Sequence, residues 1–100
     1  MIIEIAAGAG AATLLAQDDF KALKVVADPG EDEARVLALL EAEPAAEADH
    51  LWIPAETLRR LATRSSEWDV AFAAMLAKVE PFGWYDAAGD KVKAHIERSA

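Results

Sequence analysis

The sequence predicts a helix-dominated α/β or α+β domain, with a small two- to three-stranded sheet in β-α-β-α-β order followed by three C-terminal helices. Three observations carry that prediction. Alanine fills 24 of the 100 positions and is spread along the whole chain, which raises helix propensity almost everywhere. Two or three short β-branched runs bounded by turn formers resist the bias and read as strands. Strand-like and helix-like runs alternate through the first half, the pattern of a small parallel sheet with right-handed crossovers.

Taken in order, Ile2-Ile3-Glu4-Ile5-Ala6 is the first strand and Leu23-Lys24-Val25-Val26-Ala27 the second. Between them, Ala9 to about Ala22 reads as a short or irregular helix, with Ala12, Leu15 and Ala16 on one face and Asp18-Asp19 interrupting it. Asp28-Pro29-Gly30-Glu31 offers an N-cap acid, a proline at the first helical position and a glutamate three residues after the cap. The helix it opens carries Val36, Leu37, Leu39 and Leu40 as an apolar stripe and ends before Pro44. Residues 45–49 read as a flexible link, and His50-Leu51-Trp52-Ile53 as a third strand stopped by Pro54. Pro54 starts the next helix, with Leu58 and Leu61 inward and Arg59, Arg60 and Arg64 outward. Ser65-Ser66 ends it and caps a longer helix striped by Trp68, Ala71, Phe72, Met75, Leu76 and Val79. Pro81 and Gly83 break that helix. Asp86 or Asp90 caps a last one, with Val92, His95 and Ile96 facing inward.

One hundred residues is the usual size of one domain with one core, so residues 1–100 are read as a single domain with an acidic βαβα half (1–49) and a helical half (50–100). No apolar run approaches the eighteen or so residues of a membrane span, and no basic segment precedes an apolar one near Met1. With no cysteine, disulfides and thiolate metal sites are excluded, and the expectation is a cytoplasmic protein. The net charge of −8 is uneven. Residues 1–50 hold eleven acids and three bases, whereas residues 51–100 hold seven of each. From Asp28 to Asp49 there are eight carboxylates and one base, Arg35. Such a surface repels phosphate backbones, so neither nucleic acid nor membrane is an expected partner. A basic protein partner is conceivable, although a solvated face that keeps the chain in solution explains the acids more simply.

Catalytic patterns are sparse. Ser65, Ser66 and Ser99 are the only serines, none in a Gly-x-Ser-x-Gly elbow, and the first two already serve as caps. His50 and His95 are the only histidines, with no His-Glu-x-x-His pair and no calcium-loop spacing, so neither metal nor cofactor is expected and the chain reads as leaning away from an enzyme. Trp52, Trp68 and Trp84 fall sixteen residues apart, each with alanine three residues on. In so alanine-rich a chain this reads as three tryptophans anchoring helix starts in a shared core rather than as a repeat.

Glu4-Ile5-Ala6-Ala7-Gly8-Ala9-Gly10 follows the first strand, and Asp28 ends the second, twenty residues after Gly8. Residues 2–28 thereby resemble the first βαβ unit of Rossmann-like S-adenosylmethionine-dependent methyltransferases, with Ala6 standing where the first glycine belongs. The resemblance implies cofactor contacts at Glu4, Gly8, Gly10 and Asp28, the glycines admitting the ligand and Asp28 holding ribose hydroxyls. The plainer account is a tight strand-to-helix turn.

The remaining signal is aromatic. His50, Trp52, Trp68, Phe72, Phe82, Trp84, Tyr85 and His95, with Arg59 as a polar rim, can close the core or line a groove. The leading expectation is a non-enzymatic protein-interaction or self-association module that uses this aromatic corner, with a protein partner or a homodimer. The alternatives are a nucleotide- or S-adenosylmethionine-type ligand domain using the Gly8/Gly10 turn, and an accessory domain of a larger complex.

Overall fold

The stretch Lys91–Arg98 alternates Val92, Ala94 and Ile96 with Lys91, Lys93, His95 and Glu97, a period of two that buries one side of an extended chain. In the computed structural model, which describes residues 1–99, it forms the longest strand and the middle of a mixed seven-stranded sheet. The elements run β1 (Ile2–Ile5), β2 (Thr13–Leu15), β3 (Lys24–Ala27), α1 (Glu33–Leu40), β4 (Glu43–Pro44), β5 (His50–Pro54), α2 (Ala55–Leu61), α3 (Ser66–Val79), a 3-10 turn (Glu80–Phe82), β6 (Tyr85–Asp86) and β7 (Lys91–Arg98). The strand order is β2-β1-β3-β7-β5-β4, with β1, β3 and β7 mutually parallel and the other pairs antiparallel. β6 pairs with the start of β7.

The expectation of a helix-dominated chain with a two- to three-stranded sheet is therefore corrected, in three places. Residues 9–22 contain no helix. Gly8, at φ 68°, turns the chain so that β2 folds back antiparallel on β1, with Ile3 opposite Leu14. Local alanine propensity yields here to a strand whose Leu14 packs on the core. The cap at Asp28 is likewise displaced. Asp28 Oδ1 accepts the Gly30 N–H in a local turn, and Asp32 caps α1 by accepting the Arg35 N–H at 2.8 Å. Finally, the segment after Asp90 is a strand and not the third C-terminal helix, so the described residues from 50 onward carry three strands beside two helices.

Other expectations hold. Pro54 opens α2, and the Ser65 hydroxyl accepts the Trp68 N–H at the start of α3. Gly83, at φ 80°, ends the 3-10 turn in a left-handed conformation that suits glycine. No helix of the described residues is long and apolar enough to cross a membrane.

One apolar cluster joins both halves of the chain. Ile3, Ile5, Val25, Leu51, Ile53, Val92 and Ala94 on the sheet meet Val36 and Leu40 of α1, Ala55 and Leu58 of α2, and Trp68, Phe72, Met75 and Leu76 of α3. The helices thus cover one face. The other face shows Lys24, Val26, His50, Trp52, Lys91, Lys93 and His95, the alternate residues of the same strands. Long polar stems replace a second helical layer there.

Candidate functional site: a cleft at the fork of the sheet

Strand registers place the cleft. β5 pairs with residues 91–95 of β7 along one edge. The opposite edge is shared by two elements end to end, β6 beside Lys91 and Val92 and β3 beside residues 95–98. Between them β7 has no continuous neighbour, only a single bond from the Lys93 N–H to the Trp84 carbonyl at 2.8 Å. The chain entering β3 (Phe20–Leu23) and the chain entering β6 (Phe82–Trp84) diverge from that point. They leave a cleft of about 370 Å³ lined by Phe20, Leu23, Met75, Val79, Phe82 and Trp84, with Val92 and the two lysines Lys21 and Lys93 completing it. Of the lining residues Phe82 is 76% exposed and Trp84 39%.

Of the nine residues read from the sequence as one aromatic groove, Phe82 stands at the cleft and the other eight separate into three environments. Trp68 and Phe72 are core: they stack at 4.8 Å between ring centroids, are 4% and 1% exposed, and Trp68 Nε1 donates to the Gln17 carbonyl. Arg59 and Tyr85 belong to a strut. The Tyr85 hydroxyl donates to Asp90 Oδ1 at 2.6 Å, and Arg59 bridges Asp90 and Glu56 with its guanidinium 5.5 Å from the Phe72 ring. That contact raises the Tyr85 phenol above its ordinary value, the negative Asp90 acceptor being the first cause and burial the second. Asp90 is held below the usual carboxylate value, chiefly by the Tyr85 hydroxyl. The strut fixes the hairpin between β6 and β7 against α2, where the Ala55 N–H also donates to the Asp90 carbonyl.

The third group lies on the open sheet face. His50 and His95 face each other across β5 and β7 at 5.3 Å, and Trp84 lies 5.7 Å from His50. The Lys93 ammonium sits 4.9 Å from the Trp84 ring and 5.5 Å from Trp52 while pairing with Glu47. Lys91 pairs with Glu43 and Lys24 with Glu97 in the same way. Each lysine on this face is thus matched by a carboxylate. Trp52 and Trp84 anchor no helix start; of the three evenly spaced tryptophans only Trp68 does.

Phe82 and Trp84 are therefore the groove residues that reach the cleft, joined by Phe20, Lys21, Leu23, Met75, Val79 and Lys93, which the aromatic pattern did not single out. Met75 and Val79 were visible as the end of an apolar helix stripe. Phe20 and Leu23 carried no signal, because only the register of β3 against β7 brings them here.

The Gly8 turn is occupied by the chain itself. The Gly8 N–H donates to Glu31 Oε1 at 2.7 Å, Glu31 Oε2 pairs with Arg35 Nε at 2.7 Å, and Arg35 also donates to the Ala9 carbonyl. Glu31 is 7% exposed, and Arg98 Nη1 donates to its backbone carbonyl. Asp28 lies beside this turn, its N–H donating to the Ile5 carbonyl, while Glu4 is exposed on the open face of β1. Among the described residues no group of three or more His, Asp or Glu side chains is arranged to hold a metal ion. No known protein family, curated protein or solved structure matches the chain.

Proposed function

We propose that this domain is a non-catalytic binding module that docks a partner protein through the cleft between residues 20–23 and the Phe82–Trp84 corner. The observation that carries the reading is Phe82, a large apolar ring 76% exposed in the lining of an apolar cleft, together with a half-exposed indole. An exposed aromatic pair over a formed apolar cavity is the composition of an interface centre, where Trp, Tyr and Phe supply most of the energy. The polar residues nearby, Tyr85, Asp90 and Arg59, are consumed by one another, and the cleft lining carries no carboxylate, histidine or hydroxyl side chain. The Gly8 turn offers less to a nucleotide-type ligand, because Glu31 already accepts the glycine amide.

Phe82→Ser and Trp84→Ala test this. Light scattering over a concentration series reads self-association, and affinity capture with wild-type and Phe82→Ser domains reads other partners. Binding that both variants lose, with the circular dichroism of each unchanged, is the expected outcome. A domain that stays monomeric and retains nothing that Phe82→Ser releases would refute it.

A further inference from the structure

The charge around the cleft differs from the charge of the rest of the chain. In a protein of net charge −8, the cleft is lined by two lysines and no carboxylate. The acid-rich stretch Asp28–Asp49 begins at the C-terminal end of β3 and runs through α1, whereas the cleft opens at the N-terminal end of β3; of the later acids in that stretch, Glu47 returns to the cleft and is spent on Lys93. The two lysines are in different states. Lys93 is half-buried and shared between two indoles and Glu47. Lys21 is exposed, and among the described residues its ammonium forms no ion pair. Asp19, its nearest acid in sequence, accepts the Lys21 backbone N–H at 3.1 Å and forms no ion pair with the ammonium. Asp18 and Glu80, close in sequence to lining residues, are not part of the lining.

We infer that the partner presents an acidic, apolar segment: one or two Leu, Phe or Trp side chains that enter the cleft, with an Asp or Glu beside them to meet Lys21. This rests on the binding-module reading and names the chemistry of its partner. The apolar lining selects the inserted side chains, and the uncompensated ammonium selects the neighbouring charge, since interface specificity comes from placing opposite charge on groups not already paired. A basic segment would set its cation against Lys21 and Lys93. A second copy of this chain, meeting the same face across a two-fold axis, would set lysine against lysine. The long-range field of the acidic end is screened within about 8–10 Å at physiological salt, so contacts at the cleft decide the match.

The test is a display selection of random dodecapeptides on the intact domain, run in parallel on Phe82→Ser, followed by titration of the best synthetic peptide through Trp84 fluorescence. The expected pool, enriched on the wild type alone, combines Leu, Phe or Trp with adjacent Asp or Glu. Its affinity should fall about tenfold in Lys21→Glu, survive in Lys21→Arg, and weaken as salt is raised. A pool that is basic or uncharged, or an affinity indifferent to Lys21→Glu, overturns the acidic partner and leaves the module standing. Failure to enrich any sequence above the Phe82→Ser control overturns both.

Discussion

Two phenylalanines ten residues apart separate the parts of this fold that hold it together from the part that is free to bind. Phe72 is 1% exposed, stacked on Trp68 and roofed by Arg59, whereas Phe82 is 76% exposed. Phe72→Ala removes a buried ring, leaves a cavity and forfeits an aromatic pair, at a cost of about 3–5 kcal/mol. Against a total stability of about 5–15 kcal/mol for a domain, that is a large share. For a urea slope near 1.5 kcal/mol per M, the unfolding midpoint should fall by roughly 2–3 M. Phe82→Ala removes a ring that water already covers and should change stability by no more than about 0.5 kcal/mol, under roughly 0.4 M on the same scale. Urea titrations of the two variants, followed by far-ultraviolet circular dichroism, give both numbers in one experiment. Comparable shifts, or a loss above about 1 kcal/mol for Phe82→Ala, would mean that the corner closes the core, and the reasoning that makes Phe82 a docking residue would fail with it.

Two further outcomes follow from the polar network. Because Asp90 titrates below its ordinary value in the folded state, its contacts with Tyr85 and Arg59 stabilise the fold above that ordinary value and lose their effect as pH falls through the folded one, so the window lies below about pH 4. With Asp90 partly exposed, water screens the contribution to under about 1 kcal/mol, and Asp90→Asn should flatten the acid limb of a urea-midpoint profile between pH 7 and pH 3 without altering its shape above pH 5. Glu31→Ala strips the Gly8 amide of its acceptor and Arg35 of its partner. It should cost about 2–4 kcal/mol and abolish hydrogen-exchange protection at Gly8, whereas Glu31→Gln, which keeps an acceptor, should retain part of both.

What the sequence disclosed, and what it concealed, divides by the range of the interactions involved. Pro54, Ser65 and Gly83 act on their immediate neighbours, and each stands where local chemistry puts it. Strands whose pairing is distant were harder. Val92, His95 and Ile96 fit a helical spacing, but Val92, Ala94 and Ile96 fit a strand equally well, and only the neighbours β3 and β5 choose between them. The same ambiguity hid β2, because the eighteen residues between Ile5 and Lys24 satisfy a crossover helix by length and an antiparallel hairpin by pairing. The aromatic site was half legible. Trp84 precedes β6 and bonds Lys93 through its carbonyl, and the two adjacent rings go to opposite faces: Trp84 joins Lys93 on the open side while Tyr85, opposite Val92, turns toward the core.

The open sheet face explains why the cleft stands out. A seven-stranded sheet with helices on one side leaves its other side to water, and an uncovered sheet is a surface prone to unwanted association. Here Lys93 lies across Trp52 and Trp84 and is tied down by Glu47, Lys91 is tied to Glu43 and Lys24 to Glu97, so hydrocarbon stems cover the strands and each ammonium is matched by an acid. Part of the acidic excess, Glu43, Glu47 and Glu97 among it, thereby has a structural task at the lysine heads. That matching stops at the fork. Phe82 is 76% exposed, Trp84 stays 39% exposed beside His50 and Lys93, and Lys21 lacks the carboxylate that every lysine of the open face possesses. Where a protein neutralises and covers one surface so consistently, the place left apolar and uncompensated is where an incoming partner gains most.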